Sequence, residues 1–201
     1  MSLKSFVQEK VLLPRKRNQY LSKRSDPEFI SLNKADRIGI IADFRETSLV
    51  RIVADFHKRI KKEGASISLA AILQDERNNF NQFEYERQFP GSLVFLIASD
   101  EINRWGQANR KVIQPFIEQK YDIIFYLDRN PSFTLTDLLL STNSRMVAGR
   151  TSEGRDIIDF GIELDPSTAL DNVTNNLYKY LISLGEPEMP KEAGEPDLKL
   201  F

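Results

Sequence analysis

Apolar residues occur along the chain in short runs that alternate with longer stretches of helical spacing. Four runs are almost continuously apolar, which is the pattern of strands that are covered on both faces of a sheet. They predict strands at residues 36–43, 66–73, 93–98 and 121–127, and shorter strands follow at residues 145–148 and 156–163. The run at residues 121–127 delivers Asp128 to the carboxyl end of its strand and forms the centre of a β-α-β unit.

Between these runs, apolar residues recur every three or four positions, as on one face of a helix. The clearest stripes predict helices over about residues 46–63 and from about residue 165 to Gly185. A third helix is predicted before Lys120, and Pro115 marks either a kink in it or its first turn. Thr134 and Asp137 have the spacing of a capping pair for the short helix that follows Asp128.

Strands that alternate with helices predict an α/β fold with right-handed crossovers. We expect a three-layer, Rossmann-like domain over residues 31–185, with a mainly parallel sheet of about five or six strands and helices on both faces. Residues 1–30 are expected to form a basic N-terminal extension. Residues 186–201 carry five acidic residues, two lysines and three prolines, and this composition predicts an acidic, disordered tail.

Composition limits the classes of function. The 201 residues are 41% hydrophobic, enough for one ordinary domain, and the net charge of −1 provides no global attraction for nucleic acid or an anionic membrane. Without cysteine the chain has no disulfide, thiolate zinc site or thiol nucleophile, which is compatible with a reducing compartment. No leader-like segment and no run of ~20 apolar residues is present, so we expect a cytoplasmic protein without a membrane span.

The first 24 residues nevertheless carry seven basic side chains against the single acid Glu9. Apolar residues at three- to four-residue spacing predict a short amphipathic helix that ends at Pro14. This segment would either touch phosphates or anionic lipid, or lie across the domain with solvated lysines. The second interpretation is favoured, because runs of charge usually form solvated faces.

The most favoured position for a ligand is the carboxyl edge of the sheet. In doubly wound sheets, ligands bind beyond the carboxyl ends of the strands, where the strand order reverses. If the first strand lies beside the fourth, Asp43 and Asp128 become neighbours there and are the candidate acid/base residues. The candidate ligand-binding residues around them are Arg45, Ser99, Asp100, Asn130 and Arg150. The alternative is structural, since an aspartate after a strand often forms a turn or caps a helix.

Motifs for specific chemistries are missing. No two of the nine glycines stand two positions apart, so the G-x-G pattern of nucleotide-binding loops does not occur. The only histidine, His57, lies in the middle of a predicted helix at the edge of its apolar stripe, where packing is a more common role than catalysis or metal binding. We therefore expect neither a cofactor nor a metal site, although two aspartates brought together could bind magnesium or transfer protons.

Five segments resemble a family of small bacterial proteins of unknown function. They read NKADRIGII from Asn33, INRWGQ around Trp105, YDIIFYLD from Tyr121, LSTNSRMVAGR from Leu140 and DIIDFGIEL from Asp156. In that family an additional aromatic residue usually stands between the tryptophan and the glycine, whereas here Gly106 follows Trp105 directly. The resemblance implies an α/β fold and brings no activity with it.

A more distant resemblance is to the acceptor-side half of heptosyltransferase-type glycosyltransferases. It is carried by YDIIFYLD, the apolar helix and RMVAGR. Those enzymes bind their sugar nucleotide in a second Rossmann-like half, for which 201 residues leave no room. The resemblance therefore implies kinship of fold and argues against a complete transferase.

Two functions follow from these observations. The favoured one is a Rossmann-like module without a catalytic motif, which binds a small anionic ligand or a protein partner. Formation of a homodimer is an open alternative. The alternative is a small enzyme that acts on a phosphorylated or nucleotide-linked substrate through the carboxylates of Asp43 and Asp128.

Overall fold

Six parallel strands form the sheet in the part of the chain that the structure, a computed structural model, describes: residues 3–24, 26–128, 132–151, 157–163 and 169–184. Their order is β3-β2-β1-β4-β5-β6, so β1 lies beside β4. The predicted α/β fold is confirmed, and all the pairings are parallel. The strands are β1 Arg37–Asp43, β2 Ser66–Ile72, β3 Leu93–Ile97, β4 Lys120–Leu127, β5 Asn143–Thr151 and β6 Phe160–Glu163.

Helices cover both faces of the sheet. The helices are α1 Leu3–Val7, α2 Leu13–Lys23, α3 Thr47–Lys61, α4 Gln82–Gln88, α5 Arg110–Ile117, α6 Phe133–Leu139 and α7 Leu170–Ser183. Three short 3-10 turns lie at Leu32–Lys34, Arg77–Asn79 and Ser99–Glu101. Helices α3 and α7 pack on one face, and α2, α5 and α6 pack on the other.

Alternate residues of each strand supply the two cores, because successive side chains of a strand point to opposite faces. In β1, for example, Ile40 packs with α3 and α7, whereas Ile41 packs with the helices of the opposite face. Both side chains are fully buried. This double burial is the reason that the strands read as continuous apolar runs.

The N-terminal segment is a continuous helix, and the prediction that it ends at Pro14 is wrong. A π-helical turn, Gln8–Leu12, joins α1 to α2, and we call residues 3–23 the N-terminal helical segment. In the π-helical turn the Leu13 N–H donates to the carbonyl of Gln8, five residues back. Pro14 then occupies the first turn of α2, where its missing N–H and fixed φ are tolerated.

Two further local predictions are decided by the structure. Pro115 lies inside α5, so the helix does not begin at this residue. The cap of α6 is Ser132, whose hydroxyl accepts the Leu135 N–H, and not the pair of Thr134 and Asp137. Thr134 instead donates to the Gly106 carbonyl at 2.7 Å, which leaves Asp137 for contacts to the N-terminal helical segment.

Candidate functional site

The carboxyl ends of β1 and β4 bring the two candidate aspartates together. Ala42 pairs with Leu127, so Asp43 and Asp128 occupy the next positions of adjacent strands. Arg45 makes a two-pronged ion pair with Asp43, and its Nε lies 2.9 and 3.0 Å from the two carboxylate oxygens. Hydrogen bonding to Asp43 raises the pKa of Arg45, and burial opposes this rise. Asp43 is thus already paired with a cation.

Asp128 has a structural role at this edge. Its side chain is 2% exposed, and Oδ2 accepts the Ser132 N–H at 2.8 Å and the Tyr126 hydroxyl at 3.1 Å. These bonds shape the connection from β4 to α6, as in the alternative that the sequence left open. A role for Asp128 as an acid or base stays a proposal.

The remaining predicted residues are spread along the same edge. Ser99 and Asp100 follow β3 and are separated from β1 by the whole of β2. At ~4.8 Å per strand they lie roughly 10 Å from β1. Arg150 is buried in β5, one strand from β4, and Asn130 lies outside the described residues.

The N-terminal helical segment and the residue that follows it, Arg24, dock on the domain through four contacts. The Tyr20 side chain is 7% exposed and belongs to the core that α5 and α6 share. Lys16 forms an ion pair with Asp137 of α6, and Arg24 forms one with Asp159, which precedes β6. Gln8 donates to the Trp105 carbonyl at 2.8 Å. The basic segment is therefore a packed part of the fold.

A pocket of about 420 Å³ lies between this segment and the start of β5. The four charged side chains in its lining are all basic: Lys16, Lys23, Arg24 and Arg110. None of the described lining residues is acidic. The other lining residues are Gln19, Tyr20, Leu140, Ser141, Thr142, Asn143 and Ser144. We call this site the basic pocket.

Two carboxylates behind the pocket neutralise part of this charge. Asp137 pairs with Lys16 and lies 3.9 Å from Arg110, and Asp159 pairs with Arg24. Four cations against two carboxylates leave a net charge of about +2. Lys23 has no ion pair with a described residue and is exposed, so its ammonium is available to a ligand.

Polar groups with unmet hydrogen-bonding capacity lie at the base of the pocket. Tyr20 Oη, Ser144 Oγ and Arg24 Nε are shielded from solvent and make no hydrogen bond with a described residue. Burial raises the pKa of Tyr20, while the neighbouring Arg24 charge and Ser144 hydroxyl oppose the rise. Tyr20 and Ser144 thus lie close together without a bond of normal geometry. A buried polar group without a partner costs about 1–3 kcal/mol, which is tolerated most often at functional sites.

A family model matches residues 9–184 and describes a family of unknown function, DUF6913. The chain belongs to this family. The prediction of an uncharacterised family is confirmed. No curated protein and no solved structure matches the chain. Because the DUF6913 match covers α2, α6 and the start of β5, both walls of the basic pocket lie within the family region.

In this DUF6913 chain, His57 is buried and packed, as its position in the apolar stripe predicted. Its side chain is 1% exposed, and Nε2 lies 2.7 Å from Ser92 Oγ. Burial, together with the smaller effects of the Lys61 and Lys58 charges, lowers the pKa of His57 to about 4. Nδ1 has no partner among the described residues, so no carboxylate orients the ring. A histidine in this state is a weak base for activating Ser92.

The described ranges contain neither a cluster of side chains suited to a metal ion nor a membrane-spanning helix. There, no group of three or more histidine, aspartate or glutamate side chains has an arrangement that could hold a metal ion. None of the described helices combines the length and the apolar character needed to cross a lipid bilayer.

The basic pocket was missed by reasoning from the sequence, although a pattern for it exists. Lys16, Gln19, Tyr20, Lys23 and Arg24 fall at i, i+3, i+4, i+7 and i+8, which is one face of a helix. On an ordinary docked helix this face would be apolar. A face that is basic and polar around one tyrosine indicates a helix that docks beside a basic pocket. The polar run of residues 141–144 gives no such indication by itself.

Proposed function

We propose that the protein binds a small anionic ligand in the basic pocket. The observation that carries this proposal is the lining: four basic side chains, no acidic one among the described lining residues, and a volume of about 420 Å³. Pockets of ~300–1,000 Å³ are typical of small-molecule sites. The sequence favoured a module that binds a small anionic ligand or a protein partner, and the lining supports the first option at a location other than the carboxyl edge.

The electrostatics of the pocket favour an anion over water. The half-buried side chains of Lys16 and Arg24 are held in place by Asp137 and Asp159, so little side-chain entropy remains to be lost on binding. Partial burial also lowers the effective dielectric constant and strengthens each charge–charge contact. An anion in the pocket would relieve the mutual repulsion of the four cations.

Titration calorimetry at low ionic strength with inorganic phosphate, and separately with sulfate, tests the proposal. We expect saturable binding with one site per chain, and weakening as salt is added, because exposed cations such as Lys23 are screened. Saturation that is absent with both ions would contradict the proposal.

A pair of matched variants locates the site. Lys23→Ala removes an exposed lysine that lines the pocket, at the C-terminal end of α2. Lys62→Ala removes an exposed lysine at the C-terminal end of α3, on the other face of the sheet. We expect Lys23→Ala to weaken phosphate binding by roughly three- to tenfold and Lys62→Ala to leave it unchanged. Equal effects of the two variants would show nonspecific attraction to positive charge.

A second function is favoured by one observation, the adjacency of Asp43 and Asp128 at the point where the strand order reverses. It is an enzyme that acts on a phosphorylated substrate at the carboxyl edge, and the distant heptosyltransferase resemblance would agree with it. Its test is a thermal-shift screen of nucleotides and sugar phosphates with Mg²⁺, repeated with Asp43→Ala. A shift that Asp43→Ala abolishes and Lys23→Ala leaves intact would favour the carboxyl edge over the basic pocket.

A further inference from the structure

The uncharged residues that line the basic pocket indicate which kind of anion the pocket accepts. Besides the cations, the lining offers the amides of Gln19 and Asn143. The hydroxyls of Ser141 and Thr142 already donate to backbone carbonyls, and that of Ser144 is shielded from solvent. Gln19 and Asn143 are exposed, and their side chains make no hydrogen bond with a described residue. An amide both donates and accepts, which matches a hydroxyl group of a ligand better than it matches a second anion.

The volume of the pocket is larger than a bare oxyanion requires. At ~30 Å³ for each water molecule of the liquid, 420 Å³ holds roughly a dozen waters. A tetrahedral oxyanion of five heavy atoms fills a minor part of that space. The remainder lies against the polar side chains and Leu140, so it suits a small polar body attached to the anion.

The charge of the pocket suits a dianion. The four cations exceed the two carboxylates behind them by two charges. A phosphate monoester carries about −1.5 to −2 at pH 7 and offers three acceptor oxygens, whereas a carboxylate carries −1.

The pocket does not suit a nucleobase. In nucleotide sites a base commonly stacks on an aromatic face, and this stacking contributes much of the affinity. Tyr20 is the only aromatic residue in the described lining, and its ring is 7% exposed and covered by the Arg24 guanidinium, 5.2 Å from the ring centroid. No aromatic face is therefore open to a ligand.

From these observations we infer that the ligand is a phosphate monoester with a small hydroxylated body, whose phosphate is held by the cations and whose hydroxyl groups are recognised by Gln19 and Asn143. This inference rests on the proposed anion-binding function. The inference adds to that function the chemical nature of the body that carries the phosphate.

Calorimetry on the full chain with three ligands tests the inference: inorganic phosphate, glycerol 3-phosphate and AMP. We expect glycerol 3-phosphate to bind about tenfold more tightly than phosphate, since two added hydrogen bonds contribute that much together. AMP should bind no more tightly than glycerol 3-phosphate. Equal affinities for phosphate and glycerol 3-phosphate would overturn the inference and leave the proposed function standing. Tighter binding of AMP would also overturn it, and a lack of binding by all three would overturn both.

The Gln19→Ala, Asn143→Ala double variant assigns the recognition of the body. Both side chains are exposed, so the variant is expected to fold. We expect the ratio of the two affinities, glycerol 3-phosphate over phosphate, to fall from about ten toward one. A parallel loss of affinity for both ligands, with an unchanged ratio, would show that these amides only shape the pocket and would overturn the assigned recognition.

Discussion

His57 makes the stability of the protein depend on pH. An unfolded histidine has a pKa near 6.5, whereas burial in the core lowers the pKa of His57 to about 4. Between these two values the unfolded chain binds a proton that the folded protein does not. The stabilisation is therefore complete above about pH 6.5 and is lost as the pH falls toward 4.

We predict that urea unfolding at pH 4.5 gives a free energy of unfolding roughly 2 to 3 kcal/mol lower than at pH 7 from this residue alone. His57→Gln keeps a polar side chain opposite Ser92 and cannot be protonated in this range. The difference between the two pH values should shrink by that amount in the variant. An identical difference in both proteins would mean that His57 is not responsible.

Residue 106 must be a glycine because the loop around Trp105 packs closely against two helices. Its φ is +80°, and an added Cβ would lie 2.5 Å from Gln8 Nε2 and 3.0 Å from Phe133 Cδ1. Gly64 provides a control, since its φ is +93° but no atom lies within 4 Å of an added Cβ. The two glycines thus share backbone strain and differ in steric clash.

We predict that Gly106→Ala lowers stability by more than Gly64→Ala, for which strain alone costs about 1 kcal/mol. The additional loss, roughly 1–2 kcal/mol, reflects displacement of Gln8 and loss of its bond to Trp105. Thermal or urea unfolding of both variants measures it. Equal losses of stability in the two variants would show that Gln8 moves aside at no cost in stability.

At the scale of elements, α7 is held by a single apolar stripe against α3 and the sheet. Leu177 of this stripe is fully buried, whereas Tyr180 of the same helix is half exposed. We predict that Leu177→Ala lowers the free energy of unfolding by about 2–5 kcal/mol, as expected when a large buried side chain is truncated. Tyr180→Ala should change it by well under 1 kcal/mol. A near-neutral Leu177→Ala would contradict the packing of α7.

Leu177 of α7 and Ile40 of β1 show why the fold was easier to predict than the pocket. Leu177 and Ile40 lie in patterns of period 3.6 and in apolar runs, which local spacing reveals. The adjacency of Asp43 and Asp128 followed from the common strand order. For the basic pocket, local spacing marks only the wall that α2 supplies. The opposite wall meets it through contacts such as Lys16 with Asp137, 121 positions apart, which no local pattern encodes.

Charge made the N-terminal helical segment still harder to interpret. Runs of lysine and arginine are usually solvated, and this segment docks through one buried aromatic side chain, Tyr20, with ion pairs around it. Pro14 also predicted a break that the π-helical turn avoids. The error at Pro14 came from applying statistics of isolated helices to a helix that tertiary contacts stabilise.

For the molecule as a whole, the proposed ligand binding would be linked to docking of the N-terminal helical segment. One wall of the basic pocket belongs to α2 and Arg24, and the other belongs to Arg110 of α5 and to residues 140–144, which lead from the end of α6 into β5. A ligand that contacts both walls binds only when the segment is docked. It must therefore stabilise the docked state, by about 2.7 kcal/mol at a hundred times its dissociation constant.

We predict that phosphate at this concentration slows hydrogen exchange of the α2 amides by up to ~100-fold, the same free energy expressed as a rate. In Lys23→Ala at the same phosphate concentration the protection should be smaller, since its dissociation constant is higher, while Lys62→Ala should behave as the unmodified protein. Binding of phosphate with unchanged exchange in α2 would mean that the ligand contacts one wall only. In that case the cations of α2 attract the anion, but the anion does not connect the two walls of the pocket. The segment would then remain docked through Tyr20 and its ion pairs alone.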